Sequence, residues 1–476
     1  MINLVRNELI KIFSKKAIYV YTALILVLVA GGCIARKKFN SVDDGYSEVY
    51  IESLESGLNS YDLKNESELQ WYIRDKVIID SAKISKEYKS DSPERFYIDN
   101  VIEPLISEKY QKQYITKDID AVKALQAQID EEIKFLKKFD WKKQIVDEKN
   151  NVLASIAELE TLLLENDDDS IKKSIEALEL EEWCLDYRLE NEIPYSYKTD
   201  SALIESYKEL SAQYVNLKDE ELIKDEIELL NARTIKADYE VALYKLEHKL
   251  YSEEHDTIDY IVMCMSFMDG FIIIALIIIS ASIVSEEFNK GTIKQLLTKP
   301  FSRGKILASK IIACLIVFTL FVLVYQTVFV LANCYETNSL NRFLGTNVVY
   351  DYHLGIAKEV SVIGQCLYAF VSTLPAYLTI FMMIIFIGVI STNSIATTVV
   401  GFGAFIAGDL MSSWLSPKLV SFIPLCTWNL APFMYGGMHE NVYITFGKSL
   451  VIDILFMIML VVLSFIFFKK KEIKNQ

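Results

Sequence analysis

Residues 271–303 read FIIIALIIISASIVSEEFNKGTIKQLLTKPFSR. The stretch from Phe271 to Val284 holds no charge, and six charges then fall between Glu286 and Arg303. Apolar character resumes at Ile306 and runs to Ala332. A charge-free run, a short basic segment and a second apolar run whose one charge is Lys310 describe a chain that leaves a bilayer and re-enters it.

Working outward, apolar stretches recur at residues 17–35, 261–285, 306–332, 360–390, 395–411 and 450–468. A helix needs about 20 residues to cross the hydrocarbon core. The fifth stretch is shorter and rich in glycine, but it sits between two long ones. The expected fold class is therefore an all-α membrane protein with six transmembrane helices. Pro375, inside the fourth span, predicts a kink. Cys33 follows Gly31 and Gly32 in a pattern that mimics a lipoprotein cleavage site. Five later spans make a lipid anchor there redundant.

Residues 1–16 precede the first span (17–38) as an amphipathic helix, an elbow lying on the cytoplasmic face. Ile2, Val5, Leu9, Ile12 and Phe13 recur at helical spacing, and Arg6, Lys11, Lys15 and Lys16 supply charge for phosphate headgroups. This arm, the segment 286–310 and the tail 469–476 are all basic. Six spans place all three on one side, so that side is cytoplasmic. The expected location is the plasma membrane, with both termini cytoplasmic.

The chain has 476 residues, 52% of them hydrophobic, yet carries a net charge of −15. The acidity is local. Residues 39–259 hold 28 basic and 53 acidic residues, a net charge of −25 that leaves the rest of the chain at +10. This insert between spans one and two falls on the outer side. Such acidity argues against nucleic-acid binding. Helical stripes predict an extended helical, coiled-coil-like domain. One stripe runs over 121–165 with a polar break at 147–151, and a partner helix over 202–255 leads into span two. Asp167, Asp168, Asp169 and Ser170 form a turn and helix cap between them. The acidity solvates these helices, and it also suits electrostatic capture of a cationic ligand.

No catalytic constellation or metal-ligand cluster emerges from four histidines and seven scattered cysteines without a CxxC pair. Gly447-Lys448-Ser449 matches the end of a P-loop, but Val442 stands where its first glycine is required. The chain is not expected to hydrolyse ATP or to bind a cofactor or metal directly.

The loop pattern Glu-x-x-x-Gly-Thr-x-x-x-Leu-Leu-x-x-Pro-x-Ser-Arg, carried by Glu287, Gly291, Thr292, Leu296, Leu297, Pro300, Ser302 and Arg303, resembles the coupling loop of type-2 ABC transporter permeases. The elbow helix and six spans with both ends inside are similar to that family as well. The resemblance covers residues 1–38 and about 260–476, not the insert. It implies that the loop 286–305, with Glu286 beside the motif, docks on a separate ATPase. ATP and magnesium would be held by two copies of that subunit, and a second permease, identical or homologous, would pair with this one. The substrate would be a peptide, antibiotic or other amphipathic compound, exported or removed. A sensor or signalling scaffold, with the insert binding a ligand or cell-envelope partner, is the rival reading.

Three further groups complete the candidate residues within the region 260–468. Asp269 falls inside span two, where an ionisable residue faces a cavity or a partner, and Asp409 lies near the outer end of span five. The segment 414–440 is apolar but holds Pro417, Pro424 and Pro432, which fits paired re-entrant helices better than a span. Pro424, Trp428 and Pro432 are thus candidates, with Asp269, for the translocation path. Gly401, Gly403 and Gly408 in span five would permit close helix contact.

Overall fold

Helices dominate because most segments combine straight-chain residues with capping side chains at their starts. The computed structural model describes residues 1–16, 19, 20, 22–24, 26, 27, 31, 32, 48–217, 225–250, 272–281, 301–336, 344–391, 393–427, 430–437, 439 and 441–470. The chain divides into two compact units. One comprises 40–222 and 232–253; the other comprises 1–39, 223–231 and 254–476.

The acidic unit is built from helices. These are α2 (Glu48–Gly57), α3 (Glu66–Ser85), α4 (Pro93–Tyr97), α5 (Glu103–Gln111), α6 (Ile119–Leu136), α7 (Trp141–Glu165), α8 (Asp169–Asn191), α9 (Thr199–Leu217) and, from residue 232 onward, α10 (Glu226–Glu247). A π-helical turn, Ile98–Ile102, joins α4 to α5. Asn65, Ser92, Asp118, Asp140 and Asp168 cap α3, α4, α6, α7 and α8 by accepting backbone N–H bonds.

Two expectations about these helices are corrected. The polar segment 147–151 does not interrupt a helix; it lies inside α7. The break comes earlier, at 137–140, where Asp140 caps a new start by accepting the Lys143 N–H. A solvated helical face tolerates Asp147, Glu148 and Lys149, and Lys149 is held by Asp186 at 2.6 Å and Glu182 at 3.2 Å on α8. Residues 202–255 likewise are not one helix, since Asp225 lies outside any helix and caps the start of α10, which ends at Glu247. The stripe of α7 packs on α8 through Ile145, Val152, Ile156, Ile175 and Leu185. The stripe of α6 packs instead on the 97–110 region through Ile129 and Leu136.

Helix α8 also supports a second apolar cluster, in which Cys184 meets Ile204 and Tyr207 of α9 and Ala242 and Leu246 of α10. Between these clusters Arg188 is buried. Its guanidinium donates to the Pro194 carbonyl, to the hydroxyl and carbonyl of Ser201, and to Glu205 Oε1 at 2.7 Å. It also stacks on the Tyr195 ring. Every donor of a buried cation needs such an acceptor.

The second unit carries the apolar helices: α11 (Ile272–Ala281), α12 (Arg303–Glu336), α13 (Val362–Ser391), α14 (Ser394–Trp414) and α17 (Phe446–Lys470). Four helical stretches, Arg303–Ala332, Leu374–Ser391, Ser394–Trp414 and Phe446–Lys470, are long and apolar enough to cross a membrane. The protein is thus mostly helical and compatible with membrane insertion. Helix α13 continues through Pro375. Much of the first expected span and the outer part of the second lie outside the described residues.

A hairpin modifies the all-α expectation. Strands β1 (Thr346–Asp351) and β2 (Ile356–Ser361) pair antiparallel between α12 and α13, with Val348 opposite Glu359 and Tyr350 opposite Ala357. Val348, Val349 and Tyr350 favour a pleated strand. Asp351 closes the turn by accepting the N–H groups of His353 and Leu354, and Gly355 supplies a φ of +70°. Two short helices, α15 (Pro417–Val420) and α16 (Pro424–Thr427), and a 3₁₀ segment, Ala431–Gly436, follow α14.

Candidate functional site

The amphipathic helix α1 (Ile2–Phe13) is where sequence, packing and chemistry converge. Leu4 and Ile12 are buried, and Val5, Leu9 and Ile12 pack against the core of the membrane unit. Ile2 and Phe13, expected on the same apolar stripe, are exposed instead, because the buried face turns through Leu4 and Glu8. Glu8 Oε2 accepts from Lys310 Nζ of α12 at 3.0 Å, and its Oε1 accepts from Lys11 Nζ at 3.0 Å. The Lys310 side chain is 1% exposed and that of Glu8 6%. A paired, doubly bonded carboxylate is the form in which such burial is tolerated. Beside the pair is a cavity of about 260 Å³ lined by Leu4, Asn7, Glu8, Ile10, Lys11, Phe301 and Ile306.

Arg303 opens α12, so the expected loop 286–305 ends in the span helix rather than beyond it. Its Nη1 donates to the carbonyl of Lys469 at 3.0 Å, and Gly304 lies against Lys469 and Phe465. The start of α12 is thus bonded to α1 on one side and to the end of α17 on the other. The remaining loop residues, Glu286, Glu287, Gly291, Thr292, Leu296, Leu297 and Pro300, lie outside the described residues. So do Asp269 and Trp428.

At the opposite end of α17, Pro424 begins α16 and Pro432 sits within the 3₁₀ segment. Helix α16 packs on both α14 and α17. Gly408 permits the first contact: a Cβ there would stand 2.9 Å from the Leu425 carbonyl oxygen. Gly401 is close to Ile277 and Ile384, whereas nothing lies within 4 Å of a Cβ at Gly403. Two of the three glycines therefore serve contacts within this chain, and Gly403 is exposed. The hairpin docks on the same region. Tyr352 N–H donates to the Tyr435 carbonyl at 2.9 Å, and Gly436, at φ +80°, lies under the His353 ring. Lys358 donates to Asp351 at 2.5 Å, which with two backbone donors holds that carboxyl below its ordinary range.

Sequence reasoning passed over three residues. Glu8 was legible as an acid one turn from both Leu4 and Ile12 on an apolar face. Lys310 was legible as a cation followed directly by an apolar run. Asp453, within the 450–468 run, is 1% exposed, and neither of its oxygens has a hydrogen-bond partner. Among the described residues no three His, Cys, Asp or Glu side chains come together as metal ligands. What the arrangement offers chemically is mechanical linkage between helices and one isolated buried acid.

A Bacillus subtilis (strain 168) protein described as "Uncharacterized protein YhcI" is 29% identical over 282 residues, which is 56% of this chain and 84% of that protein. No solved structure matches. A family described as "Protein of unknown function (DUF2705)" matches residues 231–474, taking in every apolar helix from α11 to α17 and leaving residues 40–222 outside. That match spans more than half of the chain, and the protein belongs to the DUF2705 family.

Proposed function

We propose that this chain is the permease subunit of a type-2 ABC transporter. It would export or remove a peptide, antibiotic or other amphipathic compound across the plasma membrane. The observation that carries the reading is the buried Glu8–Lys310 pair. It joins the amphipathic helix to the span that leaves the loop 286–302, so a push on that loop moves α1 and α12 together. Arg303, bonded to the Lys469 carbonyl, extends the linkage to α17. In this reading six spans place both termini in the cytoplasm and the acidic unit outside. Two ATPase subunits dock below two permeases, and alternation between two packed states moves the substrate.

The test is copurification of the full chain from cells, followed by assay of the complex. An ATP-hydrolysing subunit should accompany it. Glu287→Ala or Gly291→Pro should leave the complex assembled while ATP hydrolysis no longer responds to substrate. Full transport activity in the isolated chain would refute the proposal.

A further inference from the structure

Among the described residues of the membrane unit, the buried acids Glu8 and Asp453 have opposite surroundings. Glu8 uses both oxygens on lysines. Asp453 uses neither, although it is 1% exposed. Ser449, one turn earlier on the same face of α17, is fully buried, and its hydroxyl is also without a hydrogen-bond partner. In an apolar interior a carboxylate is retained as an ion only with a cation or several donors around it.

Among the described residues, the elements packed on α17 provide neither. Helix α13 contains no charged residue. Its titratable groups are Cys366, Tyr368 and Tyr377, with Tyr368 stacked on Tyr435 and Tyr377 set edge-on to Phe318. Helix α16 offers Cys426, which donates to the Gly408 carbonyl. Helix α12 carries Arg303, Lys305 and Lys310 in its first turns, then Cys314 and Tyr325, and ends in Cys334, Tyr335 and Glu336; Arg303 bonds Lys469 and Lys310 bonds Glu8. On α17 itself Lys448 bonds the Ser421 hydroxyl and the Tyr443 carbonyl. Lys469 and Lys470 are about 24 Å away along the helix axis.

We propose that Asp453 is a proton-binding site of the membrane unit, with Ser449 as its neighbouring hydroxyl. In the closed packing of α17 against α13 and α16 the carboxyl holds a proton. When that contact opens to water the O–H bond breaks, the proton passes to solvent and the carboxylate is hydrated. The closed packing therefore binds one proton more than the open one, so acid favours closure and alkali favours opening. The inference needs only that α17 lies in a membrane; it does not rest on ATP coupling.

Infrared difference spectroscopy of the purified full chain in lipid nanodiscs tests this directly. Near neutral pH the wild type should show one protonated-carboxyl band that shifts in heavy water and is lost in Asp453→Asn. Thermal unfolding should fall with rising pH more steeply in the wild type than in Asp453→Asn, which mimics the protonated acid. If Asp453→Asn does not fold, the same band is followed in the wild type and in Ser449→Ala, where alkaline titration must convert it to carboxylate. Absence of the band, parallel pH profiles, or sodium dependence in place of pH dependence would overturn the proposal. None of these readouts involves an ATPase, so a missing ATPase partner would refute the permease reading alone.

Discussion

Lys310 Nζ lies 3.0 Å from Glu8 Oε2 although 302 positions separate the two residues in the chain. Replacing Glu8 breaks this buried ion pair, at a cost of about 3–5 kcal/mol, whereas replacing Lys310 leaves Glu8 bonded to Lys11. Glu8→Leu should destabilise the chain by this order, and Lys310→Met by less, because Lys11 remains on Glu8. The double variant should recover most of the loss. Thermal unfolding in detergent, arranged as a double-mutant cycle, measures the coupling. Simple additivity would show that the pair is not a structural unit.

The glycines of α14 should separate by position. Gly408→Ala places a methyl group 2.9 Å from the backbone oxygen of Leu425, which has no flexible end to move. Overpacking of this kind costs about 1–3 kcal/mol. Gly403→Ala meets nothing and gains helix propensity of about 1 kcal/mol. Melting temperatures should therefore fall for the first and hold or rise for the second.

Hairpin order should depend on acid. Lys358 and two backbone N–H groups hold the Asp351 carboxyl below its ordinary value of 3.8. A carboxyl lowered in the folded state stabilises it above the ordinary value, and that contribution is lost as pH falls through the lowered one. Hydrogen exchange across 346–361 should rise, relative to a Lys358→Met control, only as pH drops below 3.8. Equal exchange in both chains at every pH would remove the ion pair from the account.

In the acidic unit, Arg188→Met should unfold the region around α8 and α9 at markedly lower urea, by about 3–5 kcal/mol. Arg188→Lys should not rescue it. An ammonium cannot reproduce a planar fork bonded to Pro194, Ser201 and Glu205 together. Trp183 fluorescence, from a ring beside Tyr187 and Tyr207, reports the transition.

Burial pushes the Cys184 thiol up to about 12. It should resist alkylation at mildly alkaline pH in the folded chain and react on unfolding. Peptide mass spectrometry with and without urea distinguishes the two.

The apolar helices were legible because a bilayer demands a run of uncharged residues that no surface segment carries. Helix α17 was anticipated over 450–468 and occupies Phe446–Lys470. The hairpin was not legible, since six-residue strands between two spans leave only a weak alternation and one Asp-to-Gly turn. The helix breaks of the acidic unit were misplaced for a related reason. Charged residues at 147–151 look like a loop until Asp186 and Glu182 on α8 are seen to hold Lys149.

Local composition was enough to separate the acidic unit from the apolar helices. The energy of burying a long apolar run, or of solvating a dense set of carboxylates, depends on the residues themselves. The fate of single charges was decided only in three dimensions. Whether Glu8 is a paired ion, Asp453 an isolated acid or Gly408 a contact depends on which distant side chain or carbonyl arrives beside it. Electrostatic and steric energies fall off over a few ångströms of space, and sequence spacing does not record that distance.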